Sequence, residues 1–144
     1  MSIPIFEYRF TVPQAAIDEL GHVNNVTYVQ WMQDAAMAHS AALGADMAFY
    51  RSVGGVWVVR RHTIEYAAAA FAGERILIKT WVSTKERRRS LRKFIICRDE
   101  DRQVLALAET MWVFIDLKAQ RAIPIPPEVG DRFTVVPPSA EPRP

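Results

Sequence analysis

Cysteine is almost absent from this 144-residue chain: Cys97 stands alone. One cysteine excludes an intrachain disulfide and any multi-cysteine metal cluster, and it fits a reducing compartment. Histidine is scarce too, and the scattered His22, His39 and His62 do not make a metal-ligand pattern. Net charge is small, because 18 basic residues against 16 acidic ones leave +2. That balance argues against bulk nucleic-acid binding and leaves only local basic patches to consider. No uncharged apolar run reaches the roughly 18 residues that a membrane span needs. The opening Met1 to Arg9 has no basic segment followed by an apolar run, so no signal peptide is read there. The expected location is the cytoplasm.

What is present is an ordinary globular composition, half apolar and 24% charged, which supports one packed core rather than disorder. Ile5 to Val12 alternates in period two and reads as a strand ended by Pro13. A loop runs from Gln14 to about Asn24. A helix is then predicted over Val26 to Leu43, with Asn24 or Asn25 as N-cap and Gly44 as left-handed C-terminal cap. Tyr28, Met32, Ala35, Ala36, His39 and Leu43 form its apolar stripe, and much of the rest is alanine. A helix so apolar around its circumference is expected to be enclosed. Strands follow at Val56 to Tyr66, Arg75 to Val82, Leu91 to Arg98 and Val104 to Asp116. From Pro124 onward lie seven of the nine prolines, which predicts an extended segment with a disordered end. Strand, long helix, then four strands is an α+β order. The sheet's edge invites pairing with a second subunit.

Asp18-Glu19-Leu20-Gly21-His22-Val23-Asn24-Asn25-Val26-Thr27-Tyr28 is the informative stretch. It is a polar loop that runs into a helix start, where unsatisfied N–H groups and the helix dipole favour an anion or a developing oxyanion. Asp18 is suited to base or nucleophile work and His22 to proton transfer near neutral pH. Gly21 permits a backbone turn or a close approach. The plain structural reading makes Asp18 a turn residue and the two asparagines caps.

The string Asp-x-x-Gly-His-Val-Asn-Asn-x-x-Tyr, opening a long helix after one strand, resembles the hotdog-fold acyl-CoA thioesterases of the 4-hydroxybenzoyl-CoA thioesterase-like family. Ile64-Glu65-Tyr66 with Gly73-Glu74, then Ala108 to Asp116 and Ile123-Pro124-Ile125-Pro126, continue the likeness over about residues 5 to 130. The resemblance implies one hotdog domain spanning 1–144, with 131–144 as a Pro-rich tail. The implied reaction is hydrolysis of an acyl-CoA thioester, with no metal or cofactor. It implies Asp18 as nucleophile or general base, His22 as a positioning group, and a backbone N–H near Asn25 as oxyanion donor. Gly21, Val23, Asn24 and Tyr28 come with the motif as substrate-binding candidates. The implied assembly is a homodimer or a dimer of dimers with the site at the interface. Ala16 stands where many relatives carry an acid, and Ala67 to Ala70 replaces a common proline. Leu20 stands where acyl-carrier-protein thioesterases use asparagine. A carrier-protein thioesterase, a hotdog lyase and a non-catalytic acyl-CoA-binding module are the other readings.

Lys85 to Lys93 holds six basic residues and one acid. Arg87, Arg88, Arg89 and Ser90 are candidates for the phosphates of coenzyme A, since arginine offers a two-pronged fork. A solvated hairpin end is the plain alternative. Nucleic acid is disfavoured because no aromatic residue interleaves the run. Asp34, midway along the helix, is a secondary acid candidate, with a salt bridge as its plain role. His39 and His62 read as packing residues, Cys97 as inert, and Trp31, Trp57, Trp81 and Trp112 as core or acyl-pocket walls.

Overall fold

Alternating apolar residues build the sheet that dominates the computed structural model, which describes residues 2–144. β1 (Ile5–Thr11), β2 (Gly55–Tyr66), β3 (Arg75–Val82), β4 (Arg89–Arg98) and β5 (Val104–Asp116) pair antiparallel in the order β1-β3-β4-β5-β2. Register places Tyr8 opposite Ile78, Ile78 opposite Ile96, and Ile96 opposite Ala106, so one face is apolar across four strands. That face receives the long helix α1 (Thr27–Ala42). Tyr28, Trp31, Met32, Ala35 and Ala36 from α1 share one buried cluster with Ile76, Ile78, Phe94, Ile96 and Ala106. This is the hotdog arrangement, a sheet curled around a helix. No helix among the described residues is long and apolar enough to cross a membrane.

The strand limits match the alternation closely, and β4 begins two residues earlier than its pattern does. α1 starts and stops one residue inside its expected span. Its C-terminal cap holds, with Gly44 left-handed at φ +82°, but the N-cap position is Val26 with no side-chain cap; Asn24 Oδ1 instead accepts from the Val26 N–H at 2.9 Å, closing a turn just ahead of the helix. Enclosure of α1 is incomplete in the single chain, with Val26 74% and Met37 66% exposed on the side away from the sheet.

Two segments differ from expectation. α2 (Met47–Val53) was not anticipated; Asp46 caps it by accepting from the Phe49 N–H at 2.9 Å, and Gly54 ends it at φ +77°. Seven residues are too few for a periodic signal, and only these two caps mark it. The C-terminal segment is not a free extended tail. A short helical turn α3 (Pro127–Gly130) leads into buried Phe133 and Val136, and the Val136 N–H donates to the Val82 carbonyl at 2.9 Å. Further on, Glu141 accepts from Trp81 Nε1 at 2.9 Å and pairs with Lys93 at 3.1 Å. Prolines fix the path; Phe133 packs on the helix side with Leu43 and Tyr50, and Val136 and Glu141 hold the residues beyond it beside Trp81 on the other face.

The helix-facing side of the sheet carries one polar row. Arg92 lies opposite Val82 on β3 and Thr110 on β5, and Thr110 lies opposite His62 on β2. His62 Nδ1 meets Thr110 Oγ1 at 2.8 Å. Arg92 Nη1 donates to Thr80 Oγ1 at 3.1 Å and to Nδ1 of His39, on α1, at 2.9 Å. His39 Nε2–H in turn donates to the Ile3 carbonyl at 2.6 Å. Both ring nitrogens are thus committed to the neutral form. Burial, then the Arg92 charge, lower the His39 pKa to about 4.

A histidine that is neutral when folded and titrates near 6.5 when unfolded makes stability fall on acidification from pH 7 toward 4. The loss expected by pH 5 is about 2 kcal/mol from this group alone. His39→Gln keeps one donor and one acceptor without a titrating proton. Urea midpoints at pH 7 and pH 5 should converge in that variant and stay separated in the parent. An equal pH dependence in both would remove His39 as the cause.

Candidate active site

The chain leaves β1 at Val12 and enters a loop held at both ends by the sheet. The Val12 N–H donates to the Glu74 carbonyl and the Gly73 N–H to the Val12 carbonyl, each at 2.9 Å. Gly73 adopts φ +83°, which that turn requires. Glu74 accepts from the Phe71 N–H at 2.7 Å and from Arg98 Nε at 2.6 Å, which locks the turn beneath the loop.

Within the loop, Ile17 and Val23 form an antiparallel bridge, and the Asp18 N–H donates to the His22 carbonyl at 2.9 Å. The Val23 N–H reaches the Ala70 carbonyl at 2.9 Å. Residues 18–22 therefore close a tight turn, with Gly21 at φ +85°. Asp18 and His22 stand across its base, Oδ2 lying 3.9 Å from Nδ1, with both side chains partly exposed. Asp18 Oδ1 accepts from the Leu20 N–H at 2.9 Å, which orients the carboxylate and leaves Oδ2 as the less engaged oxygen. His22 Nδ1 also lies 3.2 Å from the Val23 carbonyl.

Two residues on, the helix begins. Asn24 takes the Val26 N–H on its side chain and the Thr27 N–H on its carbonyl. The Asn25 N–H has no acceptor among the described residues. The Asn25 carbonyl accepts from the Tyr66 hydroxyl at 2.7 Å, and Tyr66 meets Tyr28 edge-on at 5.1 Å between ring centres. Tyr66 thus pins the helix start from the end of β2. Its place in the Ile64-Glu65-Tyr66 string was the signal available for it; its contact with Asn25 was not.

The loop brings Asp18, Gly21, His22, Asn24 and Asn25 together at one surface. Val23 and Tyr28 are core side chains that hold the loop and the helix down. Asp34, midway along α1, accepts from Gln30 Nε2 at 2.8 Å and forms no salt bridge among the described residues.

Arg87, Arg88 and Arg89 are exposed, and the chain does not bring them to this loop. The Arg87 carbonyl accepts from Ile125 and the Arg88 carbonyl from Phe114, at the far end of β3 from Glu74. An eight-residue strand separates the two ends by about 25 Å. Arg89 pairs with Glu86 at 2.8 Å. Ser90 is buried and donates to the Thr84 carbonyl at 2.7 Å.

Beside that far end lies a cavity of about 400 Å³ between α1, α2 and the sheet. Its walls are apolar, with Ala36, Met37, Val56, Trp57 and Phe133 among them, and Arg92 and Lys85 also line it. Trp57 and Trp112 are therefore cavity walls, while Trp31 and Trp81 are buried elsewhere. Arg92 went unnoticed as a functional candidate because a basic run gives no sign of which member turns inward.

Comparison with known proteins bears on this geometry. The family model described as the thioesterase-like superfamily matches residues 12–133. A curated relative, L-carnitine dehydrogenase/betainyl-CoA thioesterase of Agrobacterium fabrum, is 32% identical over 112 residues, or 77% of this chain. The chain spans only 22% of that relative's length. Among solved structures, a 1,4-dihydroxy-2-naphthoyl-CoA thioesterase from Synechocystis superposes with a TM-score of 0.82 at 24% identity, covering 89% of this chain and 94% of that one. A Staphylococcus aureus protein solved in complex with CoA superposes at 0.84 with 15% identity, covering 92% and 83%. At these identities the superpositions establish the hotdog fold.

Proposed function

The chain belongs to the thioesterase-like superfamily, and from that premise we propose that it hydrolyses an acyl-CoA thioester to a carboxylate and free CoA. One observation carries the proposal. A carboxylate at Asp18 and an N–H without an acceptor at Asn25 sit at the two ends of one short hydrogen-bonded loop. Those are the two groups that thioester hydrolysis needs.

In this reading the thioester carbonyl oxygen accepts from the Asn25 N–H, and the start of α1 stabilises the charge that develops there. Asp18 Oδ2 either takes a proton from water as it attacks the carbonyl carbon, or attacks that carbon directly to give a mixed anhydride that water then hydrolyses to the free acid and Asp18. The carbon–sulfur bond then breaks and the thiolate leaves, taking up a proton as free CoA. His22 borders the carboxylate and positions water or substrate. Gly21 leaves room for the substrate to approach the loop, and Asn24 keeps the Asn25 amide outward by satisfying its two neighbours. No cofactor has a part in these steps.

The free edge of β2 supports a homodimer. A two-fold axis there sets two β2 strands antiparallel, so the Tyr66 end of one chain lies beside the Val56 end of the other. The Asn25 amide of one subunit then faces the cavity of its partner, and the Arg87–Arg89 loop comes across to the CoA phosphates. This restores a role for arginines that lie far from Asp18 in their own chain. The betainyl group of the curated relative's substrate is not carried over, because two cations line this cavity.

Asp18→Asn should leave the fold and the subunit association intact and lower kcat by about 10²–10⁴-fold, the usual range for removing a general base. Free-thiol release from a panel of aliphatic and aromatic acyl-CoAs measures it, and parent-like turnover in the variant would sink the mechanism. Tyr66→Phe removes only the hydroxyl that holds the Asn25 carbonyl. It should lower kcat by roughly 10-fold with little change in KM, as expected when a donor is misaligned. An unchanged kcat would show that Tyr66 does not position the helix start.

A further inference from the structure

Arg92 is 5% exposed and has no carboxylate within ion-pair distance among the described residues. Burial lowers its pKa to about 10, so it remains a cation. Its protein contacts, to His39 and Thr80, both use Nη1. Nε and Nη2 have no acceptor among the described residues. These two nitrogens share one edge of the guanidinium, the edge that takes a carboxylate through two parallel hydrogen bonds. Neither is sealed: among the described residues the one fully occluded side-chain nitrogen or oxygen without a partner is Trp112 Nε1, which belongs to a residue of the same cavity.

The cavity offers nothing else to balance the charge. Lys85 adds a second cation, tied by Nζ to the carbonyls of Gly130 and Phe133 at 2.7 Å each. The Ser40 and Tyr50 hydroxyls are bonded to each other at 2.7 Å. Asp46 lies at the rim, where its carboxylate caps α2. An uncompensated buried cation is costly, and two orphan donors at the side of an apolar cavity of ligand size call for an anionic acceptor from outside the chain.

We propose that this cavity binds the carboxylate of an apolar ligand, with Arg92 Nε and Nη2 as its anchor and the aliphatic and indole walls holding the ligand's body. Two sources share that chemistry: a free apolar acid, including one released by hydrolysis, and an acyl thioester whose far end carries a carboxylate. The binding claim stands without the hydrolysis reading; only the choice between sources rests on it.

Trp57 and Trp112 line the cavity, so tryptophan fluorescence reports binding to it. Decanoate, decanol and decyltrimethylammonium are titrated against the whole protein. Decanoate should bind at least 10-fold more tightly than decanol, and the cation more weakly than either. In Arg92→Met the preference for decanoate over decanol should shrink to within twofold. Arg92→Lys, which keeps the charge and loses the two-pronged fork, should show an intermediate preference and provides the test if the methionine variant does not fold. Equal affinity for decanoate and decanol in the parent would overturn the proposal, as would an undiminished preference in the folded variants.

Turnover then separates the sources. If a distal carboxylate is what Arg92 holds, the mono-CoA thioester of decanedioic acid should exceed decanoyl-CoA in kcat/KM by at least 10-fold, and Arg92→Met should erase the difference. If the free acid is the ligand, the two thioesters should turn over alike and decanoate should inhibit the parent more strongly than the Arg92 variant. Absence of all hydrolysis would refute the thioesterase reading and leave the fluorescence result to decide this one.

Discussion

Everything in this molecule hangs on the contact between the apolar stripe of α1 and the curved face of the sheet. Tyr28, Met32 and Ala35 meet Ile76, Ile78 and Ile96 with almost no exposed surface. Each large side chain buried there contributes about 1.5–3 kcal/mol, so the helix cannot slide or turn without losing several such terms at once. Because the helix is fixed, its first amide is fixed, and a loop only a few residues long must place Asp18 nearby. The geometry of the loop follows from the packing.

The loop itself depends on backbone hydrogen bonds more than on its side chains. Val12, Gly73 and Glu74 form its floor, Val23 ties it to Ala70, and Asp18 closes onto His22. This explains why the motif alternates polar and apolar residues. Val23 and Tyr28 anchor inward, while Asp18, Gly21, His22, Asn24 and Asn25 face out. The apolar members are as necessary as the polar ones, because a carboxylate and an amide cooperate only if the distance between them does not drift.

The polar row on the helix side of the sheet is a second ordering element. Thr80, Arg92, Thr110 and His62 interrupt a face that is otherwise apolar, and His39 meets them from α1. A buried cation without a carboxylate partner is costly, and its hydrogen bonds to His39 and Thr80 use only one of its three nitrogens. Its two remaining nitrogens beside a cavity are what the proposed carboxylate would engage. The same row explains why the interior tolerates a histidine only in its neutral form.

Local pattern determined most of the fold. Period-two alternation located β1, β3 and β5, β-rich runs between turn residues located β2 and β4, and period 3.6 with Gly44 located α1. That Asp18 to Asn25 share one loop was equally legible, since these residues are contiguous and the loop needs no long-range information. Tertiary structure alone decided the rest. α2 was hidden because seven residues carry too little periodicity. The C-terminal segment looked free because prolines report chain stiffness and not docking. The basic run shows the limit most clearly: Arg87, Arg88 and Arg89 stay in solvent while Arg92, three residues on, turns to the interior. A strand reverses its facing at every residue, and what waits on each side is set by residues far away in the chain. His39, 53 residues from Arg92, is one such partner, and no spacing rule connects them.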